Sequence, residues 1–340
     1  MEILCYRDSA GNFGDDLNAF LWRESLPAQV FDIPDIVLIG IGSIFNAYCA
    51  PLSETRGKRV FVLGSGAGYG PLPPDWESWN LLALRGPLTA DLVERPDLAI
   101  TDSAALLSLL PSINSAPRLR EAVLFMPHYN SVPGGQWECV AAQAGMTFVD
   151  PRWPVPKVLE HFLRAKLVIT EAMHGAIVAD SLRIPWIPVS IAPDTLSFKW
   201  WDWALSLGMV YEPVRLPSSS LHKSLYHRLL IRQAKRNAVA APAFVSSSNA
   251  SALIADFKTR YKASAPESPR LANGSKPQNH VRSLVHSALR TFDGFFVDNA
   301  VKHLRNIALE RTYLSCDDVF QDKVEQLQTA AATFVKLIRD

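Results

Sequence analysis

Side chains that can transfer protons or hold an anion follow several short apolar runs of this sequence. His174 comes shortly after the run that ends at Thr170, and Arg85 follows Leu81–Leu84. His128 follows a third run of the same kind. Polar residues at the carboxyl ends of buried parallel strands mark the ligand-binding edge of a sheet. We therefore predict that these three residues face a ligand.

His174 is the candidate for proton transfer. It begins a stretch of small residues with helical character, directly after a predicted strand. The amino end of a helix attracts anions, and it disfavours a protonated imidazole unless an anion is bound there. A single histidine is more often structural, and that alternative stays open. His128, in the stretch Pro-His-Tyr-Asn, is a second candidate of the same type.

Two cations are candidates for holding an anionic ligand. Arg85 stands between a predicted strand and a helix that starts at Pro87, so its guanidinium would point to the carboxyl edge of the sheet. An ordinary salt bridge is the alternative role for Arg85. Lys199 lies in a cluster of aromatic residues. There it would contact an anion or a sugar ring, or else pack in the core and cap a helix.

Two adjacent carboxylates, Asp15 and Asp16, follow a Gly-x-x-Gly turn at the start of a predicted helix. Carboxylates are stabilised at the amino end of a helix, so capping and a ligand-binding role are both open. The sequence contains no Asp-x-Asp and no cluster of histidine, cysteine and carboxylate at the spacing of metal ligands. We therefore expect no catalytic metal.

Glycine-rich turns follow two of the apolar runs. The segment from Gly64 to Gly70 does not match the dinucleotide-binding fingerprint, because its sixth position is Tyr69 rather than glycine. A Walker A sequence is also missing. We interpret Gly66 as part of a tight turn that lets the backbone approach a ligand.

Most of the apolar runs are continuous, which is typical of strands buried on both faces of a parallel sheet. They alternate with helical stretches in two consecutive series. We predict an α/β protein with two Rossmann-like domains that face a cleft, followed by extra C-terminal helices. The predicted order is a first domain at 1–112, a linker at 111–121, a second domain at 122–216, a basic helical segment at 217–262, a linker at 263–280 and closing helices at 281–340.

The composition is that of a globular protein. The chain has 340 residues, of which 48% are hydrophobic and 20% charged, and its net charge of +1 does not favour a nucleic-acid partner. The charge is unevenly spread, because residues 213–262 contain nine Lys or Arg and one acid. This segment would pack Leu225, Leu229 and Leu230 inward. Its basic face would then be solvated or would bind an anionic membrane surface.

The cysteines and the apolar stretches give an expectation for localisation. The four cysteines are scattered without a C-x-x-C pair, which suits a reducing compartment. The amino terminus has no pattern of a signal peptide, and the longest apolar stretch is far below the ~18 residues of a membrane span. We expect a cytoplasmic protein, with peripheral attachment to the inner face of the membrane as the alternative.

Five stretches together resemble the polysaccharide pyruvyl transferase family. They occur in the order found in that family and lie within the first 210 residues, and no such resemblance is found after residue 220. The matching stretches are Gly11–Asn18, Gly40–Ser43, Arg85–Thr89, Asp102–Ala104 and Glu171–Ala176.

The resemblance implies a two-domain fold similar to GT-B glycosyltransferases. It also implies that pyruvate is transferred from phosphoenolpyruvate to two hydroxyls of one sugar in a polysaccharide precursor, as a cyclic ketal and without a cofactor. The acceptor would be a lipid-linked oligosaccharide or polysaccharide. The matching stretches place Gly14, Ser43, Glu171 and Met173 at the substrate site.

The implied chemistry needs an acid, a base and cations. His174 would protonate C3 of phosphoenolpyruvate, and Asp15 or Asp16 would orient or deprotonate the acceptor hydroxyl. Arg85 would hold the phosphate or the carboxylate of the donor.

One departure from the family concerns the cation beside the histidine. Many members have arginine where this chain has Ala172, so Lys199 or Arg183 would have to replace it. Two other functions remain open from the sequence. One is a metal-independent GT-B glycosyltransferase that uses a nucleotide sugar, and the other is a non-catalytic scaffold that binds a glycan.

Overall fold

The computed structural model describes residues 1–193, 195–236, 250–262 and 293–339. The predicted linker at 263–280 and the first part of the closing helices, 281–292, lie outside these ranges. So do residues 237–249 of the predicted basic helical segment at 217–262.

The first half of the chain forms a four-stranded sheet in which all neighbouring strands are parallel. Its strands follow one another in chain order across the sheet. Nearly every residue of the second and third strands is buried, as the continuous apolar runs predict. The strands are β1 Glu2–Leu4, β2 Ile36–Ile39, β3 Arg59–Ser65 and β4 Asn80–Leu84.

The short apolar run Leu98–Ile100 also predicts a strand of this sheet, and this prediction is wrong. Residues Pro96–Leu98 form a single 3-10 turn, and only an isolated bridge from Ala99 to Leu84 extends the sheet. Proline has no N–H for a strand ladder and a backbone angle that suits the first position of a helical turn. The apolar run is therefore too short to pair as a strand.

Four helices accompany the first sheet. They are α1 Phe13–Ser25, α2 Leu52–Thr55, α3 Pro87–Leu92 and α4 Pro111–Asn114. Helix α4 corrects part of the predicted linker at 111–121, because its Ile113 is buried in the core. Pro111 occupies the first turn of α4, where the missing N–H of proline costs nothing.

The second half forms a five-stranded parallel sheet in the order β6-β5-β7-β8-β9. Its strands are β5 Ala122–Met126, β6 Thr147–Phe148, β7 Ala165–Thr170, β8 Trp186–Ser190 and β9 Val214–Arg215. The helices of this half are α5 Trp137–Ala144, α6 Val155–Leu163, α7 Met173–Ser181 and α8 Ser197–Ser206. Strand β9 and helix α8 were not predicted from the sequence.

The described C-terminal part consists of α9 Leu221–Arg236, α10 Ala250–Lys262, α11 Asp293–Ile307 and α12 Asp317–Leu337. Helix α11 packs against α5 in the second half, whereas α12 returns to the first sheet and packs on β3 and β4. There the rings of Phe61 and Phe334 meet edge to face at 5.0 Å. The last helix therefore belongs to the core of the first sheet.

One hydrophobic core connects the two halves. A single cluster of buried apolar side chains contains Phe61 of β3 and Val168 of β7. Helix α1 contacts α6 and α7, and the rings of Phe13 and Phe162 stack at 6.1 Å between centroids. Burial of such rings is among the largest apolar contributions to stability, so the two sheets are held against each other.

A buried ion pair fixes the end of β4 to helix α8. The Arg85 guanidinium contacts the Asp202 carboxylate at 3.0 Å, and both side chains are completely buried. The same carboxylate accepts hydrogen bonds from the backbone N–H and the hydroxyl of Thr89, at 2.9 and 2.6 Å. A Cβ at Gly86 would overlap the Asp202 carbonyl, so only glycine permits this approach.

Replacing Asp202 with alanine is expected to destabilise the protein by about 3–5 kcal/mol, because it leaves a buried guanidinium without its partner. Asp97→Ala is the matched control, since it breaks an exposed Arg–Asp pair, that with Arg95, at a similar distance of 2.8 Å. Denaturant unfolding should show almost no change for this control. Equal losses in the two variants would contradict a structural role for the buried pair.

Candidate active site

A cavity of about 570 Å³ opens where the carboxyl ends of the two sheets face each other. This volume is typical of small-molecule sites, at roughly 300–1,000 Å³. Both halves contribute to its wall, mostly through residues that follow strands or begin helices. The wall includes Tyr6, Asn12, Gly14, Asp15, Ser43, Asn46, Tyr48, Tyr69, Met126, His128, Tyr129, Asn130, Ala172, Met173, His174 and Lys199.

His174 lies at the second position of α7, as predicted, with 13% of its side chain exposed. Its ring lies directly against Gly14 at the start of α1, where a Cβ would overlap it. Met173 and Ala172 line the cavity beside it. Among the described residues no side chain caps the N-terminus of α7, and the first residues of the helix lie at the cavity wall.

Asp15 and Asp16 separate into two roles. Asp15 lines the cavity, is nearly buried, and accepts a hydrogen bond from the Asn12 side chain. Asp16 is exposed and accepts from the backbone N–H of Asn12 at 3.2 Å, so it caps α1. The structure therefore brings Asp15 to the cavity and leaves Asp16 outside its wall.

Burial raises the pKa of Asp15 to about 6, and the neighbouring His174 and Lys199 oppose the shift. Desolvation disfavours the carboxylate because water stabilises a charge better than the cavity wall does. A carboxyl group with this pKa can both lose and accept a proton near neutral pH.

Lys199 also lies where the sequence predicts a ligand contact. It begins α8, lines the cavity and donates to the hydroxyl of Tyr69 at 2.7 Å. Among the described residues that line the cavity, it is the one lysine or arginine. Arg183 lies at the other end of α7, where it contacts Asp180 and Ser315. Of the two cations considered beside Ala172, only Lys199 is in position.

His128 lines the cavity, but its electrostatics differ from those of a general acid. Burial, and to a smaller extent the cations of Lys199 and Lys223, lower the pKa of His128 to about 3. Its Nδ1 accepts the backbone N–H of Asn130 at 3.3 Å. A neutral imidazole at this position can hold a ligand by hydrogen bonding, but it has no extra proton to donate at neutral pH.

Glu171 lies behind the cavity wall and is almost completely buried. Its carboxylate accepts backbone N–H groups from His128 at 2.9 Å, Ile191 at 3.0 Å and Ala192 at 2.9 Å. Burial raises its pKa against the effect of these hydrogen bonds. Glu171 thus joins the ends of β5, β7 and β8 and holds the loop that carries His128.

Arg85 also lies behind the wall rather than in it. Its guanidinium donates to the Ser43 hydroxyl at 2.7 Å, and Ser43 lines the cavity. A Cβ at Gly66 would overlap the guanidinium, so this glycine makes room for Arg85 and is not part of the wall. Arg85 and Gly66 therefore lie near the site without lining it, and Ser43 stands between Arg85 and the cavity.

Four tyrosines in the wall were not anticipated from the sequence. Tyr6, Tyr48, Tyr69 and Tyr129 come from loops of both halves. Tyr69 has a left-handed backbone with φ of 60° and a side chain that is 49% exposed. Such backbone strain in a non-glycine residue is often found at ligand sites. Tyrosine combines an apolar face with a hydroxyl, which suits a polar ring such as a sugar.

No membrane-spanning or metal-binding element stands out in the part of the chain that the structure describes. None of its helices has the length and apolar character to cross a bilayer. None of its groups of histidine, cysteine and acidic residues brings three potential metal ligands together.

Asp15→Asn is expected to raise the free energy of unfolding at pH 7.5 by roughly 1–3 kcal/mol, because the folded state then no longer buries a charge. The folded pKa of about 6 lies above the ordinary value of 3.8. The carboxyl group therefore stabilises the fold below pH 3.8 and loses this contribution as the pH rises through 6. The gain should therefore vanish near pH 4. Asp16→Asn, at an exposed position, is the control for denaturant unfolding at both pH values. A gain that is independent of pH would contradict the burial argument.

Comparison with known proteins agrees with this geometry. The family description "Polysaccharide pyruvyl transferase" matches residues 5–193, which include every part of the cavity wall except Lys199. The chain is similar to the succinoglycan biosynthesis protein ExoV of Rhizobium meliloti (strain 1021), with 38% identity over 223 residues. That alignment covers 65% of this chain and 69% of the relative. No solved structure matches the chain significantly.

The match extends over more than half of the chain and over both sheets of the fold. It favours pyruvyl transfer over the nucleotide-sugar transferase and the non-catalytic scaffold that the sequence left open. The chain belongs to the polysaccharide pyruvyl transferase family.

Proposed function

We propose that the cavity transfers pyruvate from phosphoenolpyruvate to two hydroxyls of one sugar and forms a cyclic ketal on a polysaccharide precursor. The observation that best supports this reaction is the placement of three groups in one cavity. An imidazole (His174), a carboxyl group poised near neutral pH (Asp15) and an ammonium (Lys199) supply an acid, a base and an anion contact.

The donor would bind at the amino end of α7. Phosphoenolpyruvate carries a phosphate and a carboxylate, which need cations and backbone N–H groups. The N-terminus of α7 offers such N–H groups, and the small side chain of Ala172 leaves it accessible. Lys199 supplies the charge that arginine supplies in many family members. Arg85 acts on the donor through Ser43, whose hydroxyl it holds.

The reaction then balances with two protein groups. His174 gives a proton to C3 of the enol, which leaves C2 electrophilic. A sugar hydroxyl attacks C2 as Asp15 takes its proton, and the bond from C2 to the phosphate oxygen breaks. The second hydroxyl closes the ring at C2, and its proton leaves with inorganic phosphate. The scheme uses no metal or cofactor, and tyrosines of the wall would hold the acceptor sugar.

We extend the proposal to the architecture. The two parallel sheets with a ligand cavity between their carboxyl edges are consistent with two Rossmann-like domains arranged as in GT-B enzymes. In this arrangement the first domain ends with α4, at Asn114 rather than at residue 112, and the second begins with β5 at Ala122. Helix α7 belongs to the second half, whereas three of the four wall tyrosines belong to the first, namely Tyr6, Tyr48 and Tyr69.

Loss of the acid should be visible in phosphate release from phosphoenolpyruvate in the presence of a lipid-linked oligosaccharide. His174→Ala is expected to lower turnover by about 10²–10⁴-fold, the usual effect of removing a general acid or base. His303→Ala, which changes an exposed histidine of α11, should leave the rate unchanged. Turnover with a nucleotide sugar instead of phosphoenolpyruvate would overturn the donor assignment.

Helix α9 differs from its predicted packing. Leu225 and Leu229, expected to face inward, are 45% and 56% exposed, and the neighbouring Tyr226 is 47% exposed. Helical periodicity identifies a shared face but not whether another element covers it. The exposed apolar side chains lie on the same helix as the exposed cations Arg228 and Arg232.

We propose that α9 attaches the protein to the cytoplasmic membrane surface, where a lipid-linked acceptor would be found. A helix that combines cations with exposed Leu and Tyr is suited to the interface of an anionic bilayer. The helix also lies beside the cavity, because Lys223 donates to the backbone carbonyl of Asn130 at 2.8 Å. Attachment through α9 would therefore bring the cavity close to the lipid headgroups.

Co-sedimentation with vesicles tests the attachment. The protein should bind phosphatidylglycerol-containing vesicles at low salt and less at high salt, because each cation near the surface contributes about 1 kcal/mol that salt screens. Arg228→Glu with Arg232→Glu should abolish this binding. Lys302→Glu with Lys336→Glu makes the same charge change at exposed positions elsewhere and should retain most of it. Equal binding of both double variants to the vesicles would contradict the proposal.

A further inference from the structure

Two buried polar atoms face each other behind the cavity. The Nε2 atom of His174 and the Oδ2 atom of Asp102 lie 3.7 Å apart. Both atoms are buried, and neither has a hydrogen-bond partner within the described residues. Buried polar atoms in native proteins are paired in the great majority of cases. Two unpaired polar atoms at this distance are therefore expected to interact with each other rather than with another residue.

The position of Asp102 is fixed by its own loop. It precedes the 3-10 helix Ser103–Leu109, and its Oδ1 accepts the backbone N–H of Ala104 at 2.9 Å. The hydroxyl of Ser103 donates to the carbonyl of Leu63 and attaches the loop to β3. Because Oδ1 is occupied, Oδ2 is the oxygen left to face the imidazole.

The imidazole is fixed from the opposite side. The Nδ1 edge of His174 lies against Gly14, at the amino end of α1 and beside Asp15. Since Nε2 is enclosed and His174 lines the cavity, Nδ1 is the ring nitrogen that can reach a ligand. The ring is thus held between a carboxylate from the first half and a helix start at the cavity.

We propose that Asp102 is a positioning residue that keeps the proton of neutral His174 on Nε2, so that Nδ1 carries out proton transfer in the cavity. This inference rests on the proposed function, in which His174 is the acid. When the Nδ1–H bond breaks and the new C–H bond forms at C3, the ring becomes neutral with its remaining proton on Nε2. The negative charge of the Asp102 carboxylate, 3.7 Å from Nε2, stabilises a proton on that nitrogen and favours this product.

The substitution Asp102→Asn keeps the shape of the side chain but replaces the carboxylate with an amide, so it tests the positioning role without leaving a cavity. The amide oxygen would stay with the N–H of Ala104, and the amide NH₂ would then face His174. An NH₂ group needs an acceptor at Nε2, so the neutral ring should move its proton to Nδ1. A comparable loss of the correct tautomer in a serine protease triad lowers turnover by about 10⁴-fold.

The direct test is the tautomer of His174 in the folded protein without substrate. In protein labelled with ¹⁵N in the histidine rings, nitrogen chemical shifts distinguish Nε2–H from Nδ1–H, and His174→Ala identifies the resonances. We expect Nε2–H in the wild type and a shift towards Nδ1–H in Asp102→Asn. Asp16→Asn, a matched change at an exposed aspartate of the same region, should leave the tautomer as it is.

Kinetics supply the second readout. Asp102→Asn should lower kcat for phosphate release by about 10²–10⁴-fold while the KM for phosphoenolpyruvate changes little, because the residue does not touch the donor. A merely structural role would change both constants or neither.

The outcomes separate the inference from the proposed function. An Nδ1–H tautomer in the wild type overturns the inference, and this measurement does not depend on whether the variant folds. An unchanged tautomer in Asp102→Asn overturns it as well. If the tautomer moves as expected but His174→Ala keeps full turnover, the positioning stands and the assignment of His174 as the acid fails.

Discussion

Two helix starts, one from each half of the protein, meet without space for a methyl group between them. The ring of His174 on α7 lies against Gly14 on α1, and the contact decides where the imidazole can point. It also brings Asp15, one residue further along α1, into the electrostatic reach of that ring. The cavity exists because the carboxyl edges of two parallel sheets are held face to face by a shared core, and this contact lies at its centre.

The wall of the cavity is arranged in two layers. Groups suited to contact a ligand, such as Ser43 and His128, are held by fully buried polar groups, Arg85 and Glu171 respectively, which do not reach the cavity. Each of the latter satisfies its charge through specific partners, since an unpaired buried charge is costly. The buried layer fixes geometry at a cost in desolvation, and the exposed layer is left free to interact with substrate.

Much of the fold followed from the sequence because continuous apolar runs report burial on both faces of a strand. The placement of His174 at a helix start beside the cavity was also predictable, because turns after parallel strands converge at one edge. The position of Arg85 was not, since its partner Asp202 lies 117 residues further along the chain. The sequence around Leu225 does not show that this side chain is exposed, and the sequences around the four tyrosines do not show that they converge. Both depend on which distant elements come together in the fold. The failed strand at Leu98–Ile100 has a local cause in Pro96.

The return of α12 to the first sheet affects the order in which the chain can fold during synthesis. Strands β3 and β4 are complete at residue 84, yet the helix that covers them begins at Asp317. The ring of Phe61 therefore lacks its packing partner, Phe334, until α12 has been synthesised. At about 5–20 residues per second, translation of the intervening stretch takes on the order of tens of seconds. During that time the first sheet has an apolar face open to water on the ribosome. Its final packing therefore comes long after the strands are made, and a nascent chain that stops before α12 would expose that face to aggregation.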